Sequence, residues 1–301
     1  MKSFESHFAP FLGNGHLKKQ FKEMLDTAPL HALLIVGDDG AGRNMFAELI
    51  AEYYLSDERD LVRRGYHPDC ITVSGSGISG TITVDAVREA VFEAGKSAVT
   101  TDLNRVVLIK NCDNLNRSSS AALLKALEEP RDGVIYVLTA PAESDIIETV
   151  RSRCAVFQVL PLSPDECIDA AKNLFPKADL SLIPKCTEVF GGRLGLVKDV
   201  LADKSATEKF LLAERYISLC RKKSILSAAG ILDSQSDRAE LILFLKNAVH
   251  FVSYEYRKAA ITSDTASDYL TALQEAVQRL QKNVNLKLVC TKLAATMAGI
   301  N

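Results

Sequence analysis

The sequence predicts an α/β fold: a P-loop-type module with a parallel sheet, then a small helical lid and an all-α C-terminal domain. Three observations predict it. An apolar, β-branched run at 106–109 is followed by a helix-periodic segment with Ala122, Leu123, Ala126 and Leu127 on one face, and then by a second apolar run at 134–138. That is βαβ spacing, which makes the two strands parallel. A buried-strand pattern at 32–36 runs into a glycine-rich turn at 37–42 and then a helix with Met45, Phe46, Leu49 and Ile50 on its apolar face. From Ser163 to the C-terminus only helical periodicity appears.

The chain has 301 residues, 47% hydrophobic and 25% charged, with a net charge of −2. This is an ordinary globular balance with room for two or three domains. The charge lacks the basic excess of a dedicated nucleic-acid binder. Seven scattered cysteines, with no CxxC pair, predict free thiols in a reducing compartment. The N-terminus lacks the apolar core of a signal peptide, and no run of about 18 apolar residues exists. A cytoplasmic protein without a membrane segment is expected.

Taken in order, Leu17, Phe21 and Leu25 predict a helix over about 15–26. The strand at 32–36 leads to Gly37-Asp38-Asp39-Gly40-Ala41-Gly42-Arg43-Asn44. A working P-loop reads GxxxxGK[ST]: glycines let backbone N–H groups close on phosphates, lysine reaches the β- and γ-phosphates, and the hydroxyl ligates Mg²⁺. Gly37, Gly40 and Gly42 fit. Arg43 replaces the lysine and Asn44 the hydroxyl, while Asp38 and Asp39 place repulsive charge beside a phosphate site. The expectation is a vestigial P-loop that does not bind ATP. The stretch 74–82 is Gly/Ser-rich and predicts a mobile loop, followed by a helix with Val84, Val87 and Val91 inward. Ser118 to Ser120 offer caps for the helix carrying Ala122, and Pro130 and Gly133 stop it. A short helix is expected over 143–150. Ser163, Pro164 and Glu166 form a capping box. Helices should then cover about 164–175, 179–190 and 194–203, then 206–222, 237–259, 266–281 and 285–298, with Tyr254 and Tyr256 packed.

AALLKALEEP at 121–130, followed by Ser152-Arg153-Cys154, resembles the AAA+ clamp-loader family, with subunits in bacterial DNA polymerase III. The resemblance covers nearly the whole chain and implies an AAA+ module over 1–160, a lid over 161–205 and a collar, or oligomerisation, domain over 206–301. It also implies roles. Arg153, within Ser152-Arg153-Cys154, would be an arginine finger acting on the γ-phosphate held by a neighbouring subunit. Lys110 and Asn111 stand where active members carry the Asp-Glu pair that holds Mg²⁺ and polarises water; an amide cannot act as general base at neutral pH. Asp113 reads as a surface or capping aspartate and Thr139 occupies the sensor-1 position. The sensor-2 arginine belongs near Gly195, two residues beyond Arg193. The family's zinc cysteines are missing: only Cys70 lies near the HPD segment, so neither zinc nor any other metal is expected, and His67 reads as structural.

The resemblance implies a non-hydrolysing stator within a hetero-oligomeric clamp loader of the DNA polymerase III holoenzyme. Its partners would be the gamma/tau and delta subunits, with the sliding clamp and primer–template DNA met through the assembled complex. Two other readings stay open: an ATP-hydrolysing motor subunit of the gamma/tau type with an atypical P-loop, and a sequence-independent DNA-binding module.

Overall fold

The computed structural model describes residues 3–27, 30–55, 59–75, 80–99 and 105–300. These fall into two compact units: Met1–Glu166 with Arg193–Gly195, and Cys167–Gly192 with Leu196–Asn301.

The first unit is a parallel sheet with helices on both faces. Its elements are α1 (Phe4–Phe8), α2 (Gly15–Thr27), β1 (Ala32–Val36), α3 (Arg43–Tyr54), α4 (Arg59–Arg64), β2 (Cys70–Val73), α5 (Val84–Ala94), β3 (Arg105–Ile109), α6 (Arg117–Glu128), β4 (Val134–Ala140), α7 (Glu148–Arg151) and β5 (Ala155–Gln158). The strand order is β2-β3-β4-β1-β5, and every pairing is parallel. Every residue of β1, β3 and β4 is buried, which is why these strands are continuous apolar runs and show no alternation. On one face Leu33, Ile35 and Val137 pack under Phe8, Phe21, Phe46 and Phe157. On the other, Leu34, Val107 and Leu138 pack under Val87, Leu123 and Leu127. Burying a ring such as that of Phe46 contributes about 1.5–3 kcal/mol.

Local signals differ from expectation at several points. The cap of α6 is Asn116, whose side chain accepts from the amides of Ser118 and Ser119. Ser118, Ser119 and Ser120 therefore lie inside the helix and do not cap it: an asparagine two residues before Ser118 satisfies the free amides first. Part of the expected mobile loop, 76–79, lies outside the described residues. At its far end Ile82 is buried and bridged to Leu115. β2, β5, α1 and α4 were not anticipated, because their patterns are too short to carry a period.

The second unit is helical: α8 (Pro164–Leu174), α9 (Leu182–Phe190), α10 (Leu194–Ala202), α11 (Lys204–Arg221), α12 (Ile225–Asp233), α13 (Arg238–Arg257), α14 (Ser263–Gln281) and α15 (Leu286–Gly299). The capping box at the start of α8 forms as read: the Ser163 amide donates to Glu166 Oε2 at 3.0 Å, and the Glu166 amide to Ser163 Oγ at 3.4 Å. The core is aromatic, with Phe210 against Phe251 and Tyr216 against Phe244. α12 was not anticipated. Tyr256 is 50% exposed and Tyr254 donates to Glu188, so neither is a packed core aromatic; both sit near the C-terminal end of α13. Among the described residues no helix is long and apolar enough to cross a membrane.

Candidate functional site

The turn between β1 and α3 needs its glycines. A Cβ on Gly37 would stand 2.7 Å from the Val159 carbonyl oxygen. Gly42 has φ +107 and begins α3, with the Phe11 ring 3.1 Å from where its Cβ would be. Gly40 has φ +81, and its carbonyl accepts the Gly195 amide at 2.8 Å. A side chain at Gly195 would meet Gly40 Cα at 2.8 Å, so where the resemblance implies a sensor-2 arginine the chain makes a backbone contact.

Arg43, at the lysine position, is 6% exposed. Its Nη1 donates to the Gly37 carbonyl at 2.8 Å, and Nη2 to Asn111 Oδ1 at 2.8 Å. Nη2 also pairs with Asp39 Oδ1 at 2.7 Å. The expected repulsion from Asp39 is thus answered inside the turn, because Asp39 lies one helical turn before a cation and neutralises it. A buried guanidinium needs such partners, since an uncompensated buried charge is costly.

The end of β3 completes the cluster. Asn111 takes the left-handed conformation, φ 56, which asparagine tolerates better than most side chains. Its amide donates to Thr139 Oγ1 at 3.0 Å, and that hydroxyl donates to Asn44 Oδ1 at 2.8 Å. A chain of bonds therefore runs from the Gly37 carbonyl through Arg43, Asn111 and Thr139 to Asn44. Thr139, fully buried, is the link between two loops and not merely a hydroxyl at a strand end. Lys110 turns away to α3, where Nζ donates to Glu48 Oε1 at 2.6 Å. Nearby, a cleft of about 530 Å³ at the carboxyl ends of β1, β4 and β5 is lined in part by Asp38 and Glu143. Acidic lining disfavours a polyphosphate there.

Asp113, read as a surface or capping residue, is half-buried, and its Oδ1 has no partner among the described residues. Burial pushes its carboxyl above the usual range, partly offset by its own backbone and by Arg43. A folded pKa raised above the unfolded 3.8 means the native state holds the proton more tightly. Ionisation therefore costs stability as pH rises from about 4 through the folded pKa. Asp113→Asn is expected to raise the melting temperature at neutral pH. The gain should fade as pH falls through the folded pKa and be gone by about 4, and a pH series of thermal melts checks this.

The Ser-Arg-Cys segment follows α7. Ser152 closes that helix, its amide donating to the Glu148 carbonyl at 2.9 Å. Arg153 is one-third exposed. Its Nη1 donates to the Thr149 carbonyl at 2.7 Å and makes a longer contact, 3.4 Å, with Ser152 Oγ. Its Nη2 pairs with Glu128 Oε1 at 2.5 Å, at the end of α6. Burial pushes the Cys154 thiol up to about 12, so it stays protonated and packs against Leu123 and its neighbours without acting as a nucleophile. The structure thus gathers Gly37, Arg43, Asn44, Asn111 and Thr139 into one cluster, and holds Ser152, Arg153 and Cys154 in another. Sequence reasoning missed Glu48 and Glu128, each a carboxylate that gains meaning only when a helix end meets a distant cation. His67 is buried, its Nδ1 accepting the Asp69 amide at 3.1 Å, and among the described residues no cluster of three His, Cys, Asp or Glu side chains could hold a metal.

The family model described as "DNA polymerase III, delta subunit" matches residues 13–163. DNA polymerase III subunit delta' of Pseudomonas aeruginosa is 32% identical over 146 residues, 44% of this chain and 43% of that protein. The Bacillus subtilis subunit delta' is 22% identical over 297 residues, 85% of this chain and 87% of that protein. The chain spans about half the length of most of the curated relatives it matches, 44–50% for four replication factor C small subunits. A crystal structure of a DNA polymerase III gamma subunit-related protein from Thermotoga maritima shares the fold with a TM-score of 0.55. It is 19% identical and covers 94% of this chain and 98% of that one.

Proposed function

Because the chain belongs to the DNA polymerase III delta-subunit family, we propose that it is a delta-prime-type subunit of the clamp loader, a stator that does not hydrolyse ATP. It lends Arg153 to the ATP site of an adjacent gamma/tau subunit while the sliding clamp is loaded on DNA. The delta subunit and primer–template DNA complete the partners of the assembled complex.

The observation that carries this reading is the state of Arg43. A P-loop lysine must be free to reach phosphates. Here the side chain at that position is buried and committed to the Gly37 carbonyl, Asn111 and Asp39. The remaining residues fit Mg²⁺ and a triphosphate no better. Asn44 offers an amide already bonded to Thr139 in place of a metal-binding hydroxyl. Lys110 brings a cation, paired with Glu48, in place of a metal-binding carboxylate. No reaction step is therefore assigned to this loop.

Arg153 differs in kind. It is partly exposed, and guanidinium is planar, permanently charged and suited to bridging phosphate oxygens. A chain whose own site is closed by its side chains can still complete a site on its neighbour.

The isolated chain is expected to show no ATP turnover above background and no shift in melting temperature with millimolar MgATP. A ligand at 100 times its dissociation constant adds about 2.7 kcal/mol, so binding of that strength would be plain in a thermal melt. Stabilisation of that size, with turnover, would return the chain to the gamma/tau motor class.

A further inference from the structure

We propose that Glu128 positions the finger; the inference rests on the role proposed above for Arg153. Arg153 lies beyond the end of α7, a helix of four residues, and a long flexible side chain has little there to hold it. One anchor is local, the Thr149 carbonyl of the same turn. The other comes from a different element: Glu128 is the last residue of α6. That helix is itself fixed, capped by Asn116 and packed on the sheet through Leu123, Ala126 and Leu127.

The contacts engage only part of the guanidinium. Glu128 reaches Nη2, while a neutral carbonyl takes Nη1. A guanidinium has five N–H donors. These two bonds and the longer Ser152 contact engage three, which leaves two for phosphate oxygens. With Glu128 47% exposed, the pair adds little to folding. Its effect lies in geometry: an arginine already restricted loses less freedom when it grips a γ-phosphate, and a misplaced one is ineffective.

The test is steady-state ATP hydrolysis by a clamp loader reconstituted from this full chain, its motor and delta subunits, clamp and primed DNA. Four versions of this chain are compared with the parent: Glu128→Ala, Glu128→Gln, Arg153→Ala and the double alanine variant. Glu128→Ala should lower kcat about fivefold to tenfold with KM for ATP within twofold, because the finger acts on the transition state. Glu128→Gln keeps an accepting oxygen and should recover most of that rate, which a lost charge alone would not allow. The double variant should be no slower than Arg153→Ala, since both changes act through one side chain. Turnover unchanged or raised by Glu128→Ala, in a complex that Arg153→Ala slows, overturns the positioning role. Full additivity in the double variant overturns it as well. If Arg153→Ala leaves turnover unchanged, it is the finger reading that fails.

Discussion

Replacing Arg153 with alanine is expected to slow ATP turnover by the assembled clamp loader about 10³- to 10⁵-fold, the range an arginine finger supplies. In the proposed finger role the effect should fall on kcat, because the guanidinium would meet charge that develops as the γ-phosphoryl group transfers. The isolated variant should fold normally. Among the described residues it loses one ion pair, one bond to the Thr149 carbonyl and a longer contact with Ser152 Oγ, all near the surface and worth about 0–1 kcal/mol together. That separation of effects makes the measurement clean: a melt of the free subunit, then single-turnover hydrolysis by the complex. Arg153→Lys should recover only part of the rate, since an ammonium is a point charge and cannot span two oxygens. Hydrolysis at the parental rate by a fully assembled Arg153→Ala complex would remove the finger from the mechanism.

The second large effect is on stability. Arg43→Ala is expected to destabilise the first unit by about 3 kcal/mol, with the scale set by losses at buried charge and hydrogen-bond networks. The Gly37 carbonyl and Asn111 Oδ1 each lose their donor, and a cavity replaces a guanidinium that is 6% exposed. Asp39 contributes little to this figure, because it is 71% exposed and can be rehydrated. Arg43→Lys should cost less but not be neutral, as one ammonium cannot reach both oxygens from the same stem. It also restores the lysine of the motif, yet MgATP should still not stabilise it, with Asn44 and Lys110 unchanged. Urea unfolding followed by tryptophan-free probes, such as far-UV dichroism, checks the ranking. Two transitions must be fitted if the units unfold apart. A loss under 1 kcal/mol for Arg43→Ala would mean that the network is ornamental.

How much of this could be read from the chain depends on the length scale of each signal. Long apolar runs such as 134–138 announce buried parallel strands, because burial on both faces removes alternation. The glycine turn was legible since only glycine meets the crowding at Val159 and Phe11. Four-residue β2 and β5 carry too little pattern to stand out. At the site, the residue substitutions at Arg43, Asn44, Lys110 and Asn111 were visible as departures from a motif. What replaced the motif was not. The bonds from Arg43 to Asn111 and from Thr139 to Asn44 join loops remote in sequence, and Glu48 and Glu128 are ordinary helix acids until the fold brings Lys110 and Arg153 to them. Asp39 could be read as charge beside a phosphate site but not as the partner of the arginine four residues on, a pairing only the folded turn reveals.

The bond between the Gly195 amide and the Gly40 carbonyl also bears on synthesis. The first unit does not end where its sheet ends: it takes back Arg193–Gly195 after the chain has supplied Cys167–Gly192 to the second. On the ribosome, where domains form from the N-terminus onward, the last strand, β5, is made before the partner of the glycine turn. A fragment cut at the apparent domain edge near residue 160 would leave the Gly40 carbonyl without that partner. Until residue 195 has been made, the Gly40 carbonyl lacks the amide that meets it in the finished fold.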